Sequence, residues 1–135
     1  VVGDPDYRND ELNILGLRWT KETEISELEE IDIGVMPLPK DEWSKGKCGL
    51  KALVYMSMEI PAVIENHGVN SEIISNGVDG FLCKNEEDWV LRLSILIEDE
   101  LLRKKIGLQG RKSVLEKYSI KANGQNFLRL IQNEQ

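Results

Sequence analysis

Apolar and polar positions alternate with two different periods along this chain. Ile31-Asp32-Ile33-Gly34-Val35-Met36 alternates and is β-branched, which predicts a strand that Pro37 and Pro39 bring to an end. Leu50, Leu53, Val54 and Met58 recur at helical spacing, predicting a helix over about 48–58. Ala52, Tyr55 and Met56 leave little polar surface on its other side, so this helix should be buried. Pro61-Ala62-Val63-Ile64 and Gly80-Phe81-Leu82-Cys83 read as short strands, and Asn70 to Ser75 as a helical turn or two closed by Asn76-Gly77. Upstream, Leu12, Ile14 and Leu17 suggest a short strand, and residues 21–28 a short helix with apolar residues at Ile25 and Leu28. Three amphipathic helices finish the chain. Trp89, Leu93, Leu96 and Ile97 share a face in the first, Leu102, Ile106 and Val114 in the second, and Phe127, Leu128 and Ile131 in the third, with Ser119 as its N-cap. Val1-Val2-Gly3-Asp4 reads as the end of a buried strand entering a turn, so the chain is expected to be a piece of a longer protein.

Strands alternating with helices predict the α/β class: a Rossmann-like three-layer α/β/α domain with a mostly parallel sheet over residues 1–135. The composition agrees with one ordinary globular domain, at 135 residues with 41% hydrophobic and 30% charged residues. A net charge of −7 argues against a nucleic-acid footprint, which needs a basic face. It is compatible with a small anion held by a few local donors. No apolar run reaches the roughly 20 residues that span a bilayer, and the start lacks a basic segment and apolar core. Cys48 and Cys83 form no metal or redox motif, which suits a reduced, cytoplasmic chain.

Ligands of open parallel sheets bind beyond the carboxyl ends of the strands, and two loops there carry chemistry. The first runs Trp43-Ser44-Lys45-Gly46-Lys47-Cys48-Gly49-Leu50-Lys51 into the buried helix. Its glycines permit close approach, the helix start offers free N–H groups and a positive dipole end, and Lys45, Lys47 and Lys51 add charge. These residues suit a phosphate or diphosphate; they equally suit a solvated lysine loop, and the P-loop pattern is absent. The second is Glu65-Asn66-His67-Gly68-Val69-Asn70-Ser71-Glu72, where Glu72 is either an acceptor for sugar hydroxyls or a first-turn carboxylate facing the helix dipole. His67 lacks a visible catalytic partner and reads as a surface or hydrogen-bonded loop residue. Trp19 and Trp43 read as packed before they read as base platforms, and Trp89 as core.

The order of these segments resembles the C-terminal domain of the family 4 (group 1) glycosyltransferases, which have the GT-B fold. The likeness is carried by 32–38, 43–51, Tyr55-Met56-Ser57, Pro61-Ala62-Val63, Gly68 to Ile74 and Gly77-Val78-Asp79-Gly80-Phe81-Leu82, and by Leu102-Arg103, Gly107, Gly110-Arg111 and Tyr118-Ser119 toward the end. The resemblance implies the donor-binding half of an enzyme that moves a sugar from a nucleotide-diphosphate sugar to an acceptor hydroxyl, usually with retained configuration and with neither an obligatory metal nor a cofactor. By position, Lys45, Gly46, Lys47, Cys48, Gly49 and Lys51 would hold the diphosphate. Arg18, Trp19, Pro37 and Leu38 would border base and ribose, and Gly68, Asn70 and Glu72 would lie near the sugar. No catalytic residue is assigned. The expected partners are the nucleotide sugar and, through an N-terminal domain outside this chain, a saccharide or lipid-linked acceptor.

The chain departs from the family where many members carry two glutamates; the alignable positions are Gly46 and Val54. A ribose grip is then expected from elsewhere, and Glu59 stands where a glycine is expected before Ile60-Pro61. A whole enzyme should need roughly 350 residues against ~150 for one domain, so this chain by itself is expected to turn over no sugar. Two other readings keep the fold: a sugar-nucleotide epimerase, which would need acid–base side chains such as His67 and Glu72 in the cleft, and a degenerate, non-catalytic module. Cell-surface polysaccharide or glycolipid synthesis, in the cytoplasm or at its membrane, is the expected setting.

Overall fold

A computed structural model describes residues 3–132. The chain divides into two compact units, Val1–Ile31 and Asp32–Gln135. The expected strand at Val1-Val2 lies outside the described residues.

In the first unit, β1 (Arg8–Asn9) pairs antiparallel with β2 (Ile14–Leu15), and α1 (Glu24–Glu29) follows. The strand expected over Leu12–Leu17 is cut to two residues. Asn13 turns the chain with φ 51, and Gly16 N–H donates back to the Tyr7 carbonyl at 2.8 Å, closing a hairpin before a longer strand can extend. In α1, Leu28 is buried and Ile25 is 54% exposed.

The second unit carries a three-stranded parallel sheet in the order β3 (Gly34–Met36), β4 (Ala62–Glu65), β5 (Phe81–Cys83). The Ile31–Met36 strand shortens because Ile31 N–H is still bonded to Leu28 O at the helix end and pairing begins only at Gly34, whose N–H reaches Pro61 O. Helix α3 (Leu50–Ser57) connects β3 to β4, and α4 (Asn70–Ile73) connects β4 to β5. Then come α5 (Glu86–Glu98), α6 (Glu100–Lys117) and α7 (Ile120–Gln132). A single turn, α2 (Glu42–Lys45), was not expected; Asp41 caps it by accepting the Ser44 N–H at 2.6 Å.

The pleat divides the apolar residues between two layers. Ala62 and Ile64 join Met36, Ala52, Met56, Ile73 and Ile74 on one face. Val63 joins Phe81, Cys83, Leu96 and Ile106 on the other. Helix α3 is buried, but through Ala52 and Met56, one turn apart; Leu50 is 63% exposed, against expectation. In α5, Trp89, Leu93 and Leu96 face the core while Ile97, one step beyond that stripe, is exposed.

Helix α6 lies close against the rest of the unit because Gly107 and Gly110 are buried. A Cβ at Gly107 would run into the Glu59 carbonyl oxygen. Glu59 itself has φ 62, which explains why glycine is the expected residue there; Arg111 ties the turn by donating to Ser57 O at 2.8 Å and pairing with Glu59 at 3.5 Å. Buried Asp79 joins the helical end to the sheet, accepting from Ser75 N–H and from the Ser113 hydroxyl at 2.7 Å each. In α7, Ser119 accepts from the Ala122 N–H as expected of a cap, but no residue of the helix is buried. Among the described residues, no helix is long and apolar enough to cross a membrane.

Candidate functional site

The loop between α2 and α3 is shaped by its second glycine. Gly49 is the N-cap of α3 with φ 68, a conformation that side chains disfavour, and a Cβ there would meet Ile73 Cδ1. Gly46 differs: its φ is −79, and a Cβ would meet only Trp43 O, at 3.5 Å. The fold therefore requires glycine at 49 but not at 46.

Gly49 O accepts from the N–H groups of Ala52 and Leu53, opening the helix. The N–H groups of Cys48, Gly49, Leu50 and Lys51 have no acceptor among the described residues. Four successive donors without acceptors thus stand at the positive end of an eight-residue helix, the arrangement that favours an anion. Lys45, Lys47, Cys48 and Lys51 are exposed around it. Lys45 has only a loose contact with Glu42, at 3.8 Å between two exposed side chains, which leaves its charge available.

The second loop is packed directly against the first. Gly68 has φ 57, and a Cβ on it would stand 2.6 Å from the Lys45 carbonyl oxygen. His67 Nε2 lies 3.1 Å from the Asp41 carbonyl oxygen, a hydrogen bond in the tautomer that carries the proton there. This fits the expected hydrogen-bonded loop histidine. The capping hydrogen bond from the Ser44 backbone, aided by His67 and Lys47 nearby, holds the Asp41 carboxyl below its ordinary range.

Two residues of that loop behave differently from each other. Glu72 is exposed in the first turn of α4, free to meet solvent or a ligand. Asn70 is 1% exposed, and its amide donates to Glu65 O at 2.8 Å. That donor is spent inside the fold, where it shapes the loop.

Arg18 and Trp19 are exposed in the first unit, and Trp43 is 83% exposed on α2, whose buried residue is Ser44. Neither Trp19 nor Trp43 packs into a core as expected. Pro37 and Leu38 follow β3 and wall an open depression of about 380 Å³ with Lys40, Glu65, Lys84, Asn85, Glu86 and Trp89. Glu65, which ends β4, is a carboxylate buried to 7% exposure. It accepts from the Trp89 indole N–H at 3.2 Å and pairs with Lys40 at 3.4 Å. Nothing local in the sequence distinguishes a glutamate that tertiary packing will bury. Burial pushes the Cys83 thiol up to about 11, with Asp88 and Glu65 adding to the shift, so it is no nucleophile near neutrality. Among the described residues, no group of three or more His, Cys, Asp or Glu side chains is placed to hold a metal.

The chain matches the family model described as glycosyl transferases group 1 over residues 9–113, and it belongs to that family. It is similar to the C-terminal domain of the group 1 glycosyl transferase LpcC from Francisella tularensis: 28% identity, TM-score 0.66, covering 80% of this chain and 55% of that one. S. aureus TarM shares the fold at 24% identity and TM-score 0.66, over 89% of this chain and 24% of that one. HepE of Anabaena shares it at 17% identity and TM-score 0.70, over 91% and 33%. The chain thus spans about half the Francisella domain's chain and a third or less of the other two. Its α/β architecture is that of GT-B C-terminal domains. Among curated proteins, none matches.

Proposed function

From its place among the group 1 glycosyl transferases, we propose that this chain is the donor-binding domain of an enzyme that moves a sugar from a nucleotide-diphosphate sugar to an acceptor hydroxyl. The observation that carries the reading is the seat at the start of α3: four successive N–H groups without acceptors among the described residues, ringed by Lys45, Lys47 and Lys51. A diphosphate is the anion whose size and charge suit that set. HepE is crystallised with UDP-glucose and a TarM mutant with UDP, α-GlcNAc-glycerol and fondaparinux. Those ligands make uridine nucleotides the first donors to test here.

In this reading the C1–O bond to the diphosphate breaks while the acceptor oxygen bonds to C1 and the acceptor's hydroxyl proton passes to the leaving phosphate. Negative charge gathers on the leaving phosphate, where the residue 48–51 amides are already fixed by the start of α3 and the neighbouring lysines add charge, so they stabilise the transition state more than the ground state. Gly68 lets the second loop press against the first, and Glu72 meets sugar hydroxyls. Val54 is apolar and half-buried, so it supplies no ribose grip. The acceptor, a saccharide or lipid-linked saccharide of cell-surface synthesis, is held by a further domain of the longer protein in the cytoplasm.

Titration of the chain with UDP, GDP and their sugar conjugates, followed by NMR on the Gly49 and Lys51 amides, tests the reading. Saturable binding of a nucleoside diphosphate is expected, weakened about tenfold by Lys47→Ala or Lys51→Ala, the scale of one hydrogen bond to a charged group. The chain by itself should release no sugar from the donor. Absence of any nucleotide binding at millimolar concentration sinks the proposal.

A further inference from the structure

The depression at the carboxyl ends of β3, β4 and β5 is lined by none of residues 45–51 or 66–72, so it is separate from the diphosphate seat. Its floor holds an unusual group. Glu65 is buried in a strand whose residues are otherwise apolar, and its Oε2 accepts the Trp89 indole N–H. Its Oε1 is buried and receives no hydrogen bond; the Lys40 ammonium lies 3.4 Å away without donating to it, being directed instead to Lys84 O at 2.6 Å. A buried carboxylate oxygen without a donor costs stability, and that cost is offset when a ligand supplies the donor. Lys40, with 58% of its side chain exposed, is the cover that must swing aside to admit one.

The geometry points to a saccharide subsite in this depression. Pro37, Leu38 and Trp89 offer apolar walls for the C–H face of a sugar ring, and about 380 Å³ lies at the small end of ligand pockets. A carboxylate beside an ammonium wants one donor and one acceptor on neighbouring atoms, and a vicinal diol presents that pair. One hydroxyl donates to Glu65 Oε1, and its neighbour accepts from Lys40 as the ammonium leaves the carboxylate. A pyrimidine edge fits less well, since the carbonyls flanking its N–H would face the carboxylate. The inference rests on the sugar-transfer reading only for the choice of probes.

The test titrates the ¹⁵N-labelled chain with the methyl glycosides of glucose, mannose, galactose and N-acetylglucosamine, following the Trp89 indole N–H peak. 1-Methyluracil and 9-methylguanine serve as base-only probes. At least one glycoside should shift the peak saturably at millimolar concentration and give intermolecular NOEs to the Trp89 ring in the unmodified chain. Glu65→Gln, which keeps the shape and the indole acceptor, should weaken that binding about tenfold or more. The inference is overturned if no glycoside produces the shift or the NOEs. It is equally overturned if Glu65→Gln leaves the affinity unchanged, or if a methylated base moves the peak more strongly than any glycoside. Nucleotide binding is read in parallel on the Gly49 and Lys51 amides, so failure of this site and failure of the donor reading are told apart.

Discussion

At the scale of single residues, the two glycines of the loop between α2 and α3 do different work. Gly49 combines a left-handed φ with contact to Ile73, so Gly49→Ala should destabilise the fold by about 2 kcal/mol, the left-handed cost plus displacement of a methyl. Gly46 has a helical φ and a Cβ there would make only an ordinary contact with Trp43 O, so Gly46→Ala should be neutral or stabilising by up to ~1 kcal/mol. Urea denaturation of the two variants separates these outcomes. Asp41 supplies a pH-dependent contribution. Its carboxyl is lowered in the folded chain by the Ser44 cap, so the folded state favours the ionised form. That contribution is fully present above the ordinary aspartate value of ~3.9 and is lost as pH falls through the lowered folded value. Asp41→Ala should therefore lower stability near neutrality and flatten the acid limb of the stability-against-pH curve.

At the scale of elements, the close approach of α6 to the Met58–Ile60 turn depends on a missing side chain. Gly107→Ala improves helix propensity by ~1 kcal/mol, but its Cβ has nowhere to go except into the Glu59 carbonyl. Backbone must move, and the expected net result is a loss of about 2 kcal/mol, read as a lower urea midpoint with unchanged slope. The same contact shows why a helix can be foreseen while its neighbours cannot. Leu102, Ile106 and Val114 announce α6 by period, whereas the glycine-to-turn contact joins residues far apart in the chain. Similarly, α3 was legible as buried, but the stripe doing the burying is Ala52 and Met56, selected by where the sheet lies.

At the scale of the whole molecule, α7 stands out. Its strong apolar stripe leaves Phe127, Leu128, Leu130 and Ile131 each half or more exposed, and none of its residues is buried. Truncation after Ser119 should change the stability of the second unit by less than ~1 kcal/mol, in the range of surface changes. It should also reduce binding of a hydrophobic dye such as ANS. A large loss of stability on truncation would contradict this packing.

The sequence by itself determined the class of fold, the three strands of the parallel sheet, the main helices and the two loops that follow the strands. Period, proline and glycine placement, and lysine clustering are local, and local patterns survive in a one-dimensional string. It also carried the family likeness that residues 9–113 bear out. Only the tertiary structure decided that Gly68 abuts Lys45, that Asn70 turns inward and that Trp43 faces solvent. It alone buried Glu65 between Trp89 and Lys40, residues 24 and 25 positions away in the chain. Burial and hydrogen-bond satisfaction belong to pairs of segments brought together by folding, so no window of sequence around either partner contains them.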